Sequence, residues 1–486
     1  MTPTAKEMIY RDLQYFIDRL GEMSDLVRIT ESVSPSLEIA EFTSRLTGQR
    51  GPAAIFENVE GSPIPVLTNL FGSIERTAMV LGMHDINSFT VDAVRLFEGD
   101  HKGAHQLLSG QSQVHVPDPD NVPCQETVLL GSEADLSILP VTKSWPGDAG
   151  PALTLPVVFT RDIETGSRNA GLYRMQVLDS KTTCMHWYPG SGGDRHFQKS
   201  REAGSSLECA VALGPEPVMT WAAAVPLPVD VDEVLFASCL QKKNICMAKC
   251  ITVDIEVPAA SQIVIEGYVD PEEKRLEGPF GTHAGYYSPA ADFPVFHVSC
   301  ITMRKDAVYP ATVVGPPPQE DCYMAKAMER LVLQSLKRAI PSVVDINRPL
   351  EAIFQGVLFV SIDKSYAGQG RDVVEQIWGF PPLNRCMLIY VFDRQVDIQD
   401  MSQVMWRIGT HLEPVRDTVF GEIASPGGLA ASCTRMGIDC TRKLPGEVSC
   451  PAFSDVMKRD PAVTKRMDRL WEKVGPGQKP ETFRET

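Results

Sequence analysis

Residues Glu277–Tyr287 read EGPFGTHAGYY, and this stretch decides how the middle of the 486-residue chain is read. Glycine lifts the Cβ restriction on backbone angles and proline fixes φ. Three glycines and a proline within eleven residues therefore describe a shaped turn, neither helix nor plain strand. A carboxylate (Glu277), a hydroxyl (Thr282) and an imidazole (His283) on such a turn are more often site chemistry than core. Upstream, RNAGLYRMQ at Arg168–Gln176 supplies an arginine, Arg174, able to pair with Glu277.

Outward from that turn the pattern is strand-like. Pro156–Thr160, Tyr173–Leu178, Thr183–Trp187, Ile251–Glu256, Ile263–Val269 and Val295–Met303 are short β-favouring runs punctuated by glycine and proline, as in a barrel or sandwich. Gly315-Pro-Pro-Pro breaks the chain, and Tyr323–Ile340 follows with Met324, Met328, Leu331, Val332, Leu336 and Ile340 at helical spacing. That stripe is core rather than a cofactor box. Beyond it, Gly356–Ile362, Arg371–Gly379, Met387–Phe392 and Met401–Leu412 alternate strand and helix, the βαβ signal of a parallel sheet in a separate α/β domain. Toward the amino end, Met8–Leu20 carries a helical stripe stopped by Gly21, and Ala53–Phe56 and Val66–Leu70 read as strands. The polar segment His101–Asn121 reads as a connection between domains.

Composition narrows the function classes. A hydrophobic fraction of 43% supports packed cores, and a net charge of −16 without a basic stripe argues against nucleic acid or an anionic membrane as partner. No apolar run approaches the roughly 20 residues of a membrane span, and MTPTAKEMIYRDL has no apolar signal core. A cytoplasmic enzyme is the expectation. The 12 cysteines include no C-x-x-C pair, and Cys239, Cys246 and Cys250 lack zinc-site spacing, so they are read as buried reduced thiols.

Single features are weak. Arg174 alone reads as a partly exposed ion-pair partner, Glu233 as a solvated helix residue, and the GSGG run Gly190–Gly193 as a loop that also suits close approach of backbone N–H groups to a phosphate. No P-loop or strand-linked dinucleotide fingerprint occurs, nor H-E-x-x-H or G-x-S-x-G. The order NAGLYR, MHWYPGSGG, VALGPEPV, Glu233, the run Ser261–Val269, and EGPFGTHAGYY is more specific and resembles the UbiD family of decarboxylases. SPSLEIAEF, GPAAIFENVEG and VLTNLFGS near the amino end, with HLEPVRDTV and RMGIDCTRKLPGE near the carboxyl end, extend the resemblance over nearly the whole chain.

The resemblance implies a multidomain α+β and α/β chain. Its parts would be an N-terminal α/β domain (1–120), a central split β-barrel of the flavin-reductase kind (121–318), a connecting helix (319–341) and a C-terminal α/β domain (342–486). It further implies prenylated FMN with Mn²⁺ (or Mg²⁺) and K⁺, and reversible loss of CO₂ from an aromatic carboxylic acid. A flavin prenyltransferase would supply the cofactor, and the assembly would be a homodimer or homohexamer. Carried over by motif, Asn169 and Glu233 match metal ligands, and Leu172, Tyr173 and Arg174 a first cofactor-contacting strand. His186, Trp187 and Tyr188 match a second contact segment, and Ser191 and Gly192 a third near the phosphate. Arg174 and Glu277 match two members of a catalytic carboxylate–guanidinium network.

Two positions depart from the family pattern. Thr282 stands where relatives carry an acid, and Gly190 where many carry a metal-binding histidine. A threonine hydroxyl is too weak an acid to replace a carboxyl, so Glu277, or a water held by Thr282, is the preferred proton source, and His283 reads as a structural feature of the turn. The departures favour an electron-rich indole-, pyrrole- or hydroxybenzene-type carboxylate, with Phe280, Tyr286, Tyr287 and Val314–Pro318 lining the ring pocket. Competing readings are an FMN-dependent oxidoreductase and a non-catalytic subunit of a carboxylase complex.

Overall fold

The computed structural model describes residues 12–100, 122–229, 231–354, 356–423, 433–447, 456–457 and 459–474. The chain divides into two compact units, Met1–Ser335 and Leu336–Thr486. The segment His101–Asn121, read above as a connection, lies outside the described residues.

The first unit is built on a wholly antiparallel sheet. Its strands are β1 (Thr127–Leu130), β2 (Val157–Arg161), β3 (Arg168–Leu172), β4 (Thr182–Cys184), β5 (Leu207–Leu213), β6 (Ile263–Glu277) and β7 (Ala291–Met303). They run in the order β1-β7-β6-β5-β2-β3, and β4 pairs with the far end of β7. Ile263, Ile265, Val269, Val211, Leu213, Val158 and Phe296 are buried together at its centre. Removing that apolar surface from water is the main force holding the sheet.

β6 and β7 form the longest ribbon, from Ile263 opposite Met303 to Glu277 opposite Ala291. The register shifts between Glu266 and Gly267 and again between Val269 and Lys274. At the first shift a Cβ on Gly267 would lie 1.9 Å from the His297 carbonyl oxygen, so only glycine permits that approach.

A second sheet in this unit runs Leu26–Val33, Ala53–Val59, Val66–Thr68 and Tyr309–Pro310. Its last strand comes from beyond β7, so the chain returns to complete the sheet begun near its amino end. Helices α1 (Gly192–Glu202) and α2 (Glu233–Gln241) flank β3. The long helix α3 (Glu320–Ala339) matches the Met/Leu stripe, and its Met324 carbonyl accepts a hydrogen bond from Trp221 Nε1 at 3.1 Å.

Several sequence expectations need correction. The amino-terminal helix runs Leu13–Glu22, through Gly21, and is capped by Met23. Of Tyr173–Leu178 only Met175–Gln176 is strand, while Arg168–Leu172 just before it forms β3. Ile251–Glu256 is mostly bend, because the buried Glu266 carboxylate captures the Ile251 and Thr252 amides at 2.9 and 2.6 Å and the Thr252 hydroxyl at 2.8 Å. Local β-propensity yields there to a tertiary hydrogen-bond network.

The second unit has a five-stranded sheet in the order Val343–Asn347, Val357–Ile362, Leu388–Asp393, Cys433–Asp439, Thr418–Ile423. The βαβ crossover appears as expected, with helix Gln369–Trp378 between parallel strands. The sheet is mixed rather than parallel, since both edge strands pair antiparallel. No described helix is long and apolar enough to cross a membrane.

Candidate active site

Arg174 follows β3, and Glu277 is the last residue of β6. Arg174 Nε donates to Glu277 Oε1 at 2.7 Å and Nη2 donates to Oε2 at 3.3 Å, a side-on fork. Glu277 is only 1% exposed. Burial alone would raise its carboxyl. The hydrogen bonds from His186 and Arg174 and the guanidinium charge outweigh that, and its pKa lies below the ordinary carboxylate value. His186 Nδ1 sits 2.6 Å from Glu277 Oε2 and 3.0 Å from Arg174 Nη2. Phe280 underlies the guanidinium at 4.6 Å, a cation–π contact that fixes its plane.

Three residues thus meet: the expected Arg174–Glu277 pair and His186, which the resemblance had given only a cofactor contact. Thr282 is not part of the cluster's bonding. Its hydroxyl donates to the Tyr286 carbonyl at 2.8 Å, and its amide bonds the same oxygen at 3.0 Å. His283 is half-buried in the same turn, and Tyr286 and Tyr287 are 79% and 49% exposed.

The turn is anchored from a segment that sequence reasoning passed over, Trp145–Asp148. Asp148 Oδ1 accepts from the Gly281 amide at 2.7 Å, and Oδ2 from the Trp145 amide at 2.8 Å. The Trp145 ring fills the space beside both Gly281 and Gly315, where a Cβ would lie 2.3 Å from it in each case. Its Nε1 donates to the Val314 carbonyl at 2.7 Å. The Gly147 amide donates to Tyr287 Oη at 3.0 Å. The sequence marks this segment only with Pro-Gly, an ordinary turn signal.

A second cluster surrounds the start of α1. Ser191 caps the helix by accepting from the Asp194 amide, and the Gly190 amide donates to Asp194 Oδ2 at 2.7 Å. Asn169 is buried, and its Nδ2 has no hydrogen-bond partner among the described residues. Its Oδ1 rests against Gly192, where a Cβ would lie 1.7 Å away. Tyr173 and Trp187 stand edge to face at 4.8 Å in the core behind Gly193, whose amide donates to Tyr173 Oη at 3.1 Å. Leu172 is half-buried at the end of β3, and Tyr188 is half exposed beside the His186 ring.

Glu233 opens α2, and its Oε2 accepts the Ala170 amide at 2.9 Å. Burial pushes its pKa up to about 7, against that hydrogen bond and the charge of Arg168. Gly190 has φ +79°, so a histidine there would be strained.

The orphaned Asn169 side-chain amide at the start of α1 and the buried Glu233 carboxylate suit a phosphate bridged to protein by an oxygen-seeking cation. Asn169 and Glu233 are the oxygen-bearing side chains here that could hold such a cation beside a flavin phosphate.

Comparison with known proteins identifies the family. Residues 17–90, 116–317 and 322–440 match, in turn, the N-terminal, Rift-related and C-terminal domains of 3-octaprenyl-4-hydroxybenzoate carboxy-lyase. An uncharacterized protein of Archaeoglobus fulgidus is 38% identical over 480 residues, covering 96% of this chain and 99% of its own. One of Aquifex aeolicus is also 38% identical, over 483 residues, with the same coverages. Among solved structures, an evolved dimeric form of the UbiD-class enzyme HmfF from Pelotomaculum thermopropionicum, in complex with prFMN, superposes with a TM-score of 0.80 at 27% identity, covering 94% of this chain and 98% of that one. The vanillic acid decarboxylase of Sedimentibacter hydroxybenzoicus, in open form, gives a TM-score of 0.80 at 25% identity, covering 96% and 100%. The chain belongs to the UbiD family of carboxy-lyases.

Proposed function

We propose that the protein uses prenylated FMN to decarboxylate, reversibly, an aromatic or heteroaromatic acid of the indole, pyrrole or hydroxybenzene type. The observation that carries this reading is the Arg174–Glu277 fork. It uses the Nε side of the guanidinium, and among the described residues Nη1 has no protein hydrogen-bond partner. The free edge suits a substrate carboxylate held in two parallel hydrogen bonds. Buried Glu277 holds the arginine's plane, so orientation is fixed before the acid arrives.

When bound, the prenylated flavin supplies an electrophilic carbon that takes up the electron pair released with CO₂. Arg174 orients the leaving carboxylate, Phe280 supports the arginine, and Glu277 is placed to return a proton. The engaged Thr282 hydroxyl is poorly suited to that task, which fits a ring that accepts a proton at carbon readily. Asn169 and Glu233 would hold Mn²⁺ or Mg²⁺ against the phosphate, with K⁺ nearby, and the central sheet would serve as the split barrel. A homodimer or homohexamer in the cytoplasm is the assembly in keeping with this reading.

The test is co-production with a flavin prenyltransferase, followed by the absorbance spectrum, the mass of the released cofactor and CO₂ release from a panel of ring carboxylates. Prenylated flavin and turnover of an electron-rich acid are expected. Ordinary FMN reduced by a nicotinamide donor would instead make the chain an oxidoreductase, and absence of any flavin would favour a non-catalytic subunit.

A further inference from the structure

Returning a proton to carbon requires a donor, and the chemistry of the cluster leaves few. Arginine does not release a proton in proteins. The Thr282 hydrogen is committed to the Tyr286 carbonyl. Glu277 and His186 remain. We propose that His186 and Glu277 form a proton-carrying pair, in which Glu277 delivers the proton and His186 reloads it; this rests on the decarboxylase reading above.

The geometry argues for it directly. Arg174 Nη2 is always a donor, so His186 Nδ1 cannot both accept from Nη2 at 3.0 Å and donate to Glu277 Oε2 at 2.6 Å. The carboxylate contact is shorter than an ordinary N–H···O bond, the direction in which charge assistance moves such contacts. Nδ1 therefore carries a hydrogen aimed at Oε2, and Nη2 serves Oε2 as well, at 3.3 Å. The ring is held in this pose by Phe293, 4.1 Å away and tilted by 30°, and by Tyr188 at 5.2 Å. His186 and Arg174 side chains each retain 14% exposure, so water reaches the cluster. Besides Arg174, Tyr188 faces the His186 ring, and Cys184, itself flanked by the charges of Arg275 and Asp292, lies within electrostatic reach of Glu277. Burial and the Glu277 charge push the Cys184 thiol up to about 12, which keeps it neutral and out of the exchange.

The proton balance is simple. In the cationic ring both nitrogens bear a proton. The Nδ1–H bond breaks and Oε2–H forms, leaving a neutral ring protonated at Nε2. The Oε2–H bond then breaks as a C–H bond forms from the electron pair left by CO₂, and Glu277 is a carboxylate again. Water returns one proton to the ring in each turnover. His186 acts through Glu277 and is a positioning residue in this scheme.

His186→Asn keeps an N–H donor toward Glu277 but cannot carry an extra proton. The expected result with the loaded enzyme, with kcat expressed per bound flavin, is a loss of about 10²-fold or more, the usual worth of a positioned general acid, with thermal melting unchanged. The rate of deuterium incorporation from D₂O into the product ring should fall by the same factor, with one deuterium still present per product molecule. A His186→Asn enzyme within threefold of the parent on both measures would overturn the proposal. The flavin-free protein provides a second readout, independent of turnover and of that variant's folding. A ¹⁵N-imidazole NMR spectrum should show a strongly downfield Nδ1–H signal that disappears in Glu277→Gln. A His186 ring protonated only at Nε2, insensitive to Glu277→Gln, would overturn the pair. Failure of the wild-type chain to bind prenylated flavin, with the NMR signal present, would sink the functional reading and leave the pair standing.

Discussion

At the scale of single residues, the site separates charge from hydroxyl. Glu277 is buried between a guanidinium and an imidazole, whereas Thr282, five positions on, spends its hydrogen on a turn carbonyl. Glu277→Gln should abolish CO₂ release, measured as kcat on the best ring acid, while Thr282→Ala retains part of it. A dead Thr282→Ala beside a live Glu277→Gln would reverse the assignment. Elsewhere, Glu216 is 5% exposed and its Oε2 has no hydrogen-bond partner among the described residues. Burial raises its pKa from 4.5 to about 7. A folded-state pKa above the unfolded one means that folding binds protons between those values, so stability falls as pH rises from about 4.5 to about 7. Glu216→Gln should stabilise the first unit by about 3 kcal/mol at pH 8 and by little at pH 4.5, read from urea midpoints.

Elements decide where these residues point, and here the sequence was partly legible. The Arg174–Glu277 pairing could be expected from charge, and the turn from its glycines and proline. The length of β6 could not, because Asp270–Glu273, with its proline and acids, looks like a strand end. The ladder resumes after a register shift, and only the partner strand reveals that. β3 was missed because Arg168–Leu172 lacks β-branched residues and is strand by virtue of its pairing with β2. His186 carried no signal toward Glu277, since the two meet only when β4 pairs with the end of β7. Nor did Asp148.

Two predictions belong to this scale. Asp148→Ala removes the bond from the turn's Gly281 amide and the bond to Trp145 within the anchor, stranding the Gly281 amide, so it should cost about 2 kcal/mol and reduce kcat more than flavin affinity. Gly192→Ala drives a Cβ into Asn169 Oδ1 at the start of α1. Flavin affinity should fall at least tenfold, by fluorescence titration, with little change in the melting of metal-free, flavin-free protein.

Across the whole molecule, the two units hold their charges differently. In the second, Lys443 Nζ bridges Asp417 and Asp439 at 3.1 Å each, and all three side chains are under 10% exposed. For Asp417, burial is outweighed by hydrogen bonds from Arg416, Glu413 and Lys443, so its pKa is lowered. That stability is present above the unfolded value and disappears as pH falls through the lower folded value. Lys443→Met leaves two carboxylates facing each other and should destabilise the second unit by about 3 kcal/mol. Differential scanning calorimetry at pH 7 should show one transition moving down while the flavin-stabilised one stays; a uniform shift of a single transition would refute independent unfolding. The βαβ pattern of this unit was readable from apolar runs alternating with helix, but its antiparallel edges were not. Edge pairing is chosen by the neighbouring strand, which local sequence does not encode.

Inheritance and change are kept apart along the β6–β7 ribbon. Its root is woven into the interior, its last rung presents Glu277, and beyond that rung the chain emerges as an open hairpin with Tyr286 in water. Divergence among descendants can therefore accumulate beyond the rung, altering which rings are admitted, while the reactive carboxylate stays locked to the scaffold. Appetite is free to wander; the tool is not.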